Sequence, residues 1–267
     1  MRPLVAVRRA APFDAEVFAH EAFWPLLRAL RALAPCGDFP PIDTFARVFD
    51  GTPPVRFVEA TGRPRGRRQA GARRIDPLTL YDARITLERV VPTRSRCWHD
   101  LMNALVWGTF PAAKLALHAR QHRAVSERLS PFARSLPPAR TRELDALAIL
   151  DEGGVAIVVD DASCFRAAGV SQSNAVNAAM RTGAADAIIF GHAVYESIAL
   201  GVSPAVVAAI VVERDEGDPN IVRAAEHALA HAIADRSRLQ TPEELTRIDV
   251  GAIDFLGAAT RSRHIPQ

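Results

Sequence analysis

Lysine is almost absent: the chain has one, Lys114, among 33 Lys and Arg residues. Cysteine is scarce too. Cys36, Cys97 and Cys164 are scattered with no CxxC pair, so the sequence offers neither a disulfide framework nor a thiolate zinc cluster. No apolar run approaches the length that spans a bilayer, and the opening "MRPLVAVRRAAP" holds an apolar patch too short for a signal-peptide core. A soluble, cytoplasmic chain without a membrane partner is expected. The P-loop, GxGxxG and HExxH patterns are missing, which removes the usual basis for nucleotide and zincin readings. Ser95, Ser163 and Cys97 lie in no GxSxG-type nucleophile elbow.

What is present is ordinary globular composition, 49% apolar and 24% charged over 267 residues. That suits a single domain over 1–267, with a basic helical half at about 1–144 and a strand-containing acidic half at about 145–267. The net charge of +3 hides the asymmetry. Residues 56–96 carry eleven arginines against four acids, a net of +7. Residues 145–267 carry nine arginines against seventeen acids, a net of −8. A basic face can meet a nucleic acid or another anionic partner. A bias towards Arg, Ala and Pro of the kind a GC-rich genome produces explains much of the same count.

Hydrophobic spacing predicts a helix over 14–34, capped by Asp14 and kinked at Pro25, then a short helix over 42–49. "VRFVEA" reads as a strand. The stretch 61–77, with six arginines and three glycines, reads as a loop; residues 81–91 read as extended. Two helices follow, 97–108 and a second from Pro111 to about 129, with Pro111 at its first position and Thr109 or Phe110 as its cap. "LDALAILDEGGVAIVVDD" predicts a β-hairpin near residues 147–159, turning at Asp151-Glu152-Gly153-Gly154. Later come a helix over 174–181, a strand–glycine–helix corner at "DAIIFGHAVYE", a strand at "AVVAAIVVE", and a helix capped by Asp218 with Pro219 at its first position. The fold class is α+β: a helical N-terminal half packed on a small mixed sheet.

The only lysine sits in the segment 97–122, which also holds two of three tryptophans and His99, His118 and His122. His99 and Asn103 share a helix face, and Lys114 and His118 repeat the four-residue spacing, so both pairs can look into one cleft. A chain that otherwise writes Arg keeps Lys where a planar fork fails, through tight packing or catalysis. His192 and Glu196, four apart at a strand-to-helix corner, suit a base and its orienting acid, or two metal ligands. Each cluster has a plain alternative as a buried hydrogen-bonded network. His227 and His231 have metal-pair spacing but project away from the stripe of Ile221, Ala225, Leu229 and Ala232, which makes them a solvated pair.

The strings Tyr81-Asp82-Ala83-Arg84-Ile85, Pro92-Thr93-Arg94, "WHDLMNALVW", Phe110-Pro111 and Lys114, with "LDALAILDEGG" and "FGHAVYE" further on, resemble a bacterial family catalogued as domain of unknown function 3025. The resemblance covers about 55–215. That family usually has Asn where this chain has His118, and a longer aromatic C-terminal tail. The resemblance implies that His99, Asp100, Asn103, Lys114, His192 and Glu196 form one recurring pattern; it supplies no activity, metal or cofactor. A polar cleft of a hydrolase is the expectation, with Asp151 and Glu152 joining from the turn, a small-molecule or anionic ligand, and Lys114 facing developing negative charge. The alternative is a non-catalytic binder of an acidic or nucleic-acid partner.

Overall fold

The computed structural model describes residues 11–34, 37–60, 77–129, 139–166, 172–202, 206–214 and 220–249. The arginine-rich stretch 61–76 lies outside them, as do Asp218 and Pro219.

The chain enters through 3-10 turns at Ala15–Ala19 and Glu21–Leu26, the first capped by Asp14 and the second containing Pro25. Only Leu27–Leu33 (α1) is α-helical. Pro25 lacks an N–H, which breaks the ladder the spacing predicts into tighter turns. A 3-10 helix at Ile42–Val48 leads to strand β1, Arg56–Glu59. Residues 81–91 are not extended throughout: an α turn at Tyr81–Ala83 runs into a π turn at Arg84–Glu88, and only Val90–Thr93 (β2) is a strand. The π turn accounts for the difference, because its i→i+5 bonding has no 3.6-residue signature. Strands β1 and β2 pair in parallel as a separate two-stranded sheet.

Helices α2 (Trp98–Thr109) and α3 (Pro111–Ser126) meet at Phe110, which caps α3 with Pro111 at its first turn. The joint is where the sequence places it. Trp98, Trp107, Leu101, Met102 and Leu105 from α2 are fully buried, so this helix is apolar nearly all round and lies inside the molecule.

Residues 147–159 do not form a hairpin. Helix α4 (Arg142–Gly153) leads straight into strand β3 (Gly154–Val159). Thr141 caps α4 by accepting from the Leu144 N–H, and Glu143 and Asp145 fill its first turn. The run "LDALAIL" satisfies either period, and Gly153-Gly154 marks a helix end rather than a turn between strands. Helix α5 (Gln172–Thr182), strand β4 (Ala185–Ile189), helix α6 (His192–Ala199), strand β5 (Val206–Glu213), helix α7 (Ile221–Ala234) and strand β6 (Thr246–Asp249) follow. Asn220, not Asp218, caps α7, through the N–H groups of Val222 and Arg223.

The larger sheet has the order β4-β3-β5-β6, with β3 and β5 parallel and the other pairs antiparallel. All six residues of β3 are buried, as expected for a strand in the middle of a covered sheet. The fold is α+β. Among the described residues, no helix is long and apolar enough to cross a membrane.

Candidate active site

The topology itself brings the polar motifs together. Strand β3 starts where α4 ends, and its antiparallel neighbour β4 ends where α6 starts, so both corners lie at one end of the sheet. The corners touch: the N–H groups of Phe190 and Gly191 donate to the Gly154 carbonyl at 3.0 and 2.8 Å. A Cβ at Gly191 would stand 2.4 Å from the Gly154 nitrogen and 2.6 Å from the Glu152 carbonyl oxygen. Glycine is therefore required there by close approach. Helix α2 packs on α6 and completes the site from the other side.

His99 Nδ1 lies 3.0 Å from Glu196 Oε2, and His99 Nε2 lies 3.0 Å from His192 Nε2. His192 is buried; its Nδ1 is 3.8 Å from Asp151 Oδ1 and its Nε2 is 3.6 Å from Glu152 Oε2. Asp151 accepts from Lys114 Nζ at 2.5 Å, and Lys114 has no exposed surface. The ammonium also faces the Trp107 ring at 5.6 Å. Asp100 accepts three times from Arg94: from the backbone N–H at 2.5 Å, from Nε at 3.0 Å and from Nη2 at 2.7 Å. Such a fork fixes the guanidinium plane while its other edge stays at the surface.

His99, Asp100, Asn103, Asp151, Glu152 and His192 line one cleft of about 330 Å³, with Arg94 and Tyr81 on its walls. The Tyr81 ring is partly exposed at the rim, and its hydroxyl pairs with the Asn103 amide. Asn103 Oδ1 is buried with no hydrogen-bond partner among the described residues. Two predicted residues stand elsewhere. Lys114 sits behind Asp151 and does not line the cleft, and Glu196 lies beneath His99. The expected second pair also separates, since His118 turns to Asp82 (2.9 Å) and stacks on Trp107.

Electrostatics sort the two imidazoles. Burial pushes His192 down to about 3, helped by the positive charges of Lys114 and His99 and opposed by Asp151. Burial acts the same way on His99, but the Glu196 hydrogen bond and the charges of Glu152, Glu196 and Asp100 outweigh it and raise His99. Burial would raise Asp151, yet Lys114, His192 and His118 hold it well below the usual carboxylate range. Burial is the largest influence on Glu152, which is raised, with Asp151 and Glu196 adding to it and His99 and Lys114 opposing. His99, His192 and Glu152 each offer one ligand atom, all within 4.8 Å of one another.

Sequence reasoning passes over Arg94 and Asp82 as partners, because their pairs are set by chain folding and not by spacing along one helix. An acid at the third position of α2 is the available signal for Arg94. It passes over Glu226 too, buried on α7, which accepts from the Ala112 N–H at 2.5 Å and the Ala113 N–H at 3.3 Å and so closes the start of α3. His227 and His231 are exposed, as the α7 stripe predicts.

No curated protein matches the chain, and no solved structure does. Residues 69–255 match the family described as "Protein of unknown function (DUF3025)", and that segment contains every residue of the cleft except Ala60. With more than half its length matched, the chain belongs to the DUF3025 family.

Proposed function

We propose that the chain is a hydrolase acting on a small substrate in the cleft between α2 and the two sheet corners. One observation carries the reading: the Nε2 atoms of two histidines meet 3.0 Å apart beside Glu152, each ring with a carboxylate at its other nitrogen. Imidazoles backed by acids in a solvent-reached cleft are suited to taking and returning the proton of an attacking water. In this reading His99, His192 and Glu152 form the water-activating face. Arg94, locked by Asp100 and half exposed, offers N–H groups to an anionic or developing negative oxygen of the substrate. Lys114 and Glu196 are positioning residues that act through Asp151 and His99. A volume of about 330 Å³ limits the bound group to a small molecule or one end of a larger one.

The test is a panel of chromogenic esters, phosphoesters, amides and glycosides assayed with the purified full chain. Turnover by the parent that His192→Asn and Arg94→Gln each reduce about 100-fold or more, with circular dichroism unchanged, supports the reading. Turnover that survives both substitutions overturns it. The binding-protein alternative rests on the arginine-rich half, whose stretch of arginines 63–74 lies outside the described residues.

A further inference from the structure

Two imidazole nitrogens 3.0 Å apart share either a proton or a cation. Glu196 faces His99 Nδ1, and a carboxylate oxygen only accepts, so in the neutral ring the proton sits on that nitrogen and Nε2 keeps its lone pair. His192 is 3% exposed; its ring lies against the Asp151 backbone, and its Nδ1 faces Asp151 Oδ1 at 3.8 Å. Protonated there, His192 likewise turns an Nε2 lone pair to the same point. Two lone pairs aimed at each other repel unless a proton or a cation joins them.

We infer that His99 Nε2, His192 Nε2 and a carboxylate oxygen of Glu152 bind a divalent transition metal of the zinc type, with a further coordination position open to the cleft. The dimensions fit. Zinc–nitrogen bonds of about 2.0–2.1 Å place tetrahedral ligand atoms roughly 3.3 Å apart; of the three edges here, the two that meet at His192 Nε2 are 3.0 and 3.6 Å, and the third, from His99 to Glu152, lies within 4.8 Å. Two imidazoles and one carboxylate select first-row transition ions over Mg²⁺ or Ca²⁺, which want oxygen ligands throughout. Glu196 and Asp151 stand where acids behind metal-binding histidines fix the ring tautomer, and Lys114 in turn holds Asp151. Glu152 is half exposed and free to swing onto an ion. The inference deepens the hydrolase reading, whose cleft it shares, and changes the part its residues play: as ligands, His99, His192 and Glu152 would no longer take the water's proton themselves, and a bound zinc ion would instead lower the pKa of a cleft water to about 7.

The experiment is calorimetric titration of EDTA-stripped, dialysed full chain with ZnCl₂. One zinc per chain is expected, with affinity about 10- to 100-fold weaker in Glu196→Gln and at least as much weaker in His192→Asn and Glu152→Gln. Glu152→Gln, at the rim, keeps the test valid if His192→Asn fails to fold. His227→Ala, on the exposed face of α7, is expected to bind as the parent does. Binding that persists undiminished in His192→Asn and Glu152→Gln overturns the site, whatever His227→Ala does, as does no binding at all, whatever the activity. One zinc bound through these residues with no turnover on the panel sinks the hydrolase reading and leaves the metal site standing.

Discussion

Lys114 holds Asp151 at 2.5 Å from a position with no exposed surface, and Asp151 is the group that His192 turns its Nδ1 towards. The lone lysine is thus a strut behind the cleft. It reaches between the Trp107 ring and one carboxylate oxygen, a slot that suits a point charge on a thin stem and not a planar fork.

Removing the ammonium leaves Asp151, at the largely buried wall of the cleft, charged and without its cationic partner. Lys114→Met is expected to lower unfolding free energy in urea by about 3–5 kcal/mol. Lys114→Arg keeps the charge but overpacks the slot, at a cost of about 1–3 kcal/mol. The double variant Lys114→Met/Asp151→Leu should recover much of the first loss. A double variant no more stable than Lys114→Met would show that the pair does not act as a unit.

Glu226 gives the fold a pH dependence of unusual sign for an acid. Burial pushes its carboxyl up to about 7, against the lowering effect of the Ala112 and Ala113 N–H groups. Below the ordinary value of 4.5 both folded and unfolded chains hold the proton, and there is no penalty. Between 4.5 and about 7 the unfolded chain releases it while the folded chain keeps it, so stability falls as pH rises and then levels off. The loss is roughly 3 kcal/mol. Glu226→Gln should remove that component, seen as a smaller difference between urea midpoints at about pH 5 and pH 8 than the parent shows. Equal differences in the two proteins would refute it.

Two glycines near the cleft should respond in opposite ways. Gly191→Ala sets a methyl 2.4 Å from the Gly154 backbone nitrogen, and no flexible side chain is there to yield. A loss of at least about 2 kcal/mol is expected, the upper part of the range for overpacking. A Cβ at Gly153, in the last turn of α4, meets nothing within 4 Å. Gly153→Ala should be neutral or gain up to about 1 kcal/mol from helix propensity. Thermal melts of both variants settle the matter, and a Gly191→Ala midpoint matching the parent's contradicts the close-approach argument.

Much of the helical framework is readable from residues alone. Pro111 and the apolar run before it define the α2–α3 joint, and Ile221, Ala225 and Leu229 define the buried face of α7. The β4–α6 corner is readable because an apolar run, a glycine and a polar pair follow in order. The hairpin expected near residues 147–159 fails in its first arm, since the seven mostly apolar residues of "LDALAIL" fit a helix or a strand equally well and burial against the sheet decides which forms; the second arm is a strand as expected. Most of the polar residues that the fold gathers around the cleft are readable as two polar clusters in apolar surroundings, though Arg94 is not. Their partners are not: His99 meets Glu196 across 97 positions, and Lys114 meets Asp151 across 37. Pairings of that range are set by strand order, which no local spacing encodes.

Those separations also govern how the protein is made. When the ribosome has released α2 and α3, Trp107 and Lys114 are already in the nascent chain, yet Glu196 follows His99 by 97 residues and Glu226 follows Ala112 by 114. Until then the underside of α2 and the open start of α3 have nothing to close them. Domains form as units during synthesis, and unfinished apolar faces are what chaperones hold. A chain halted before α6 lacks His192 and Glu196, so the cleft cannot form until that helix is made, while β5, α7 and β6 are still to come.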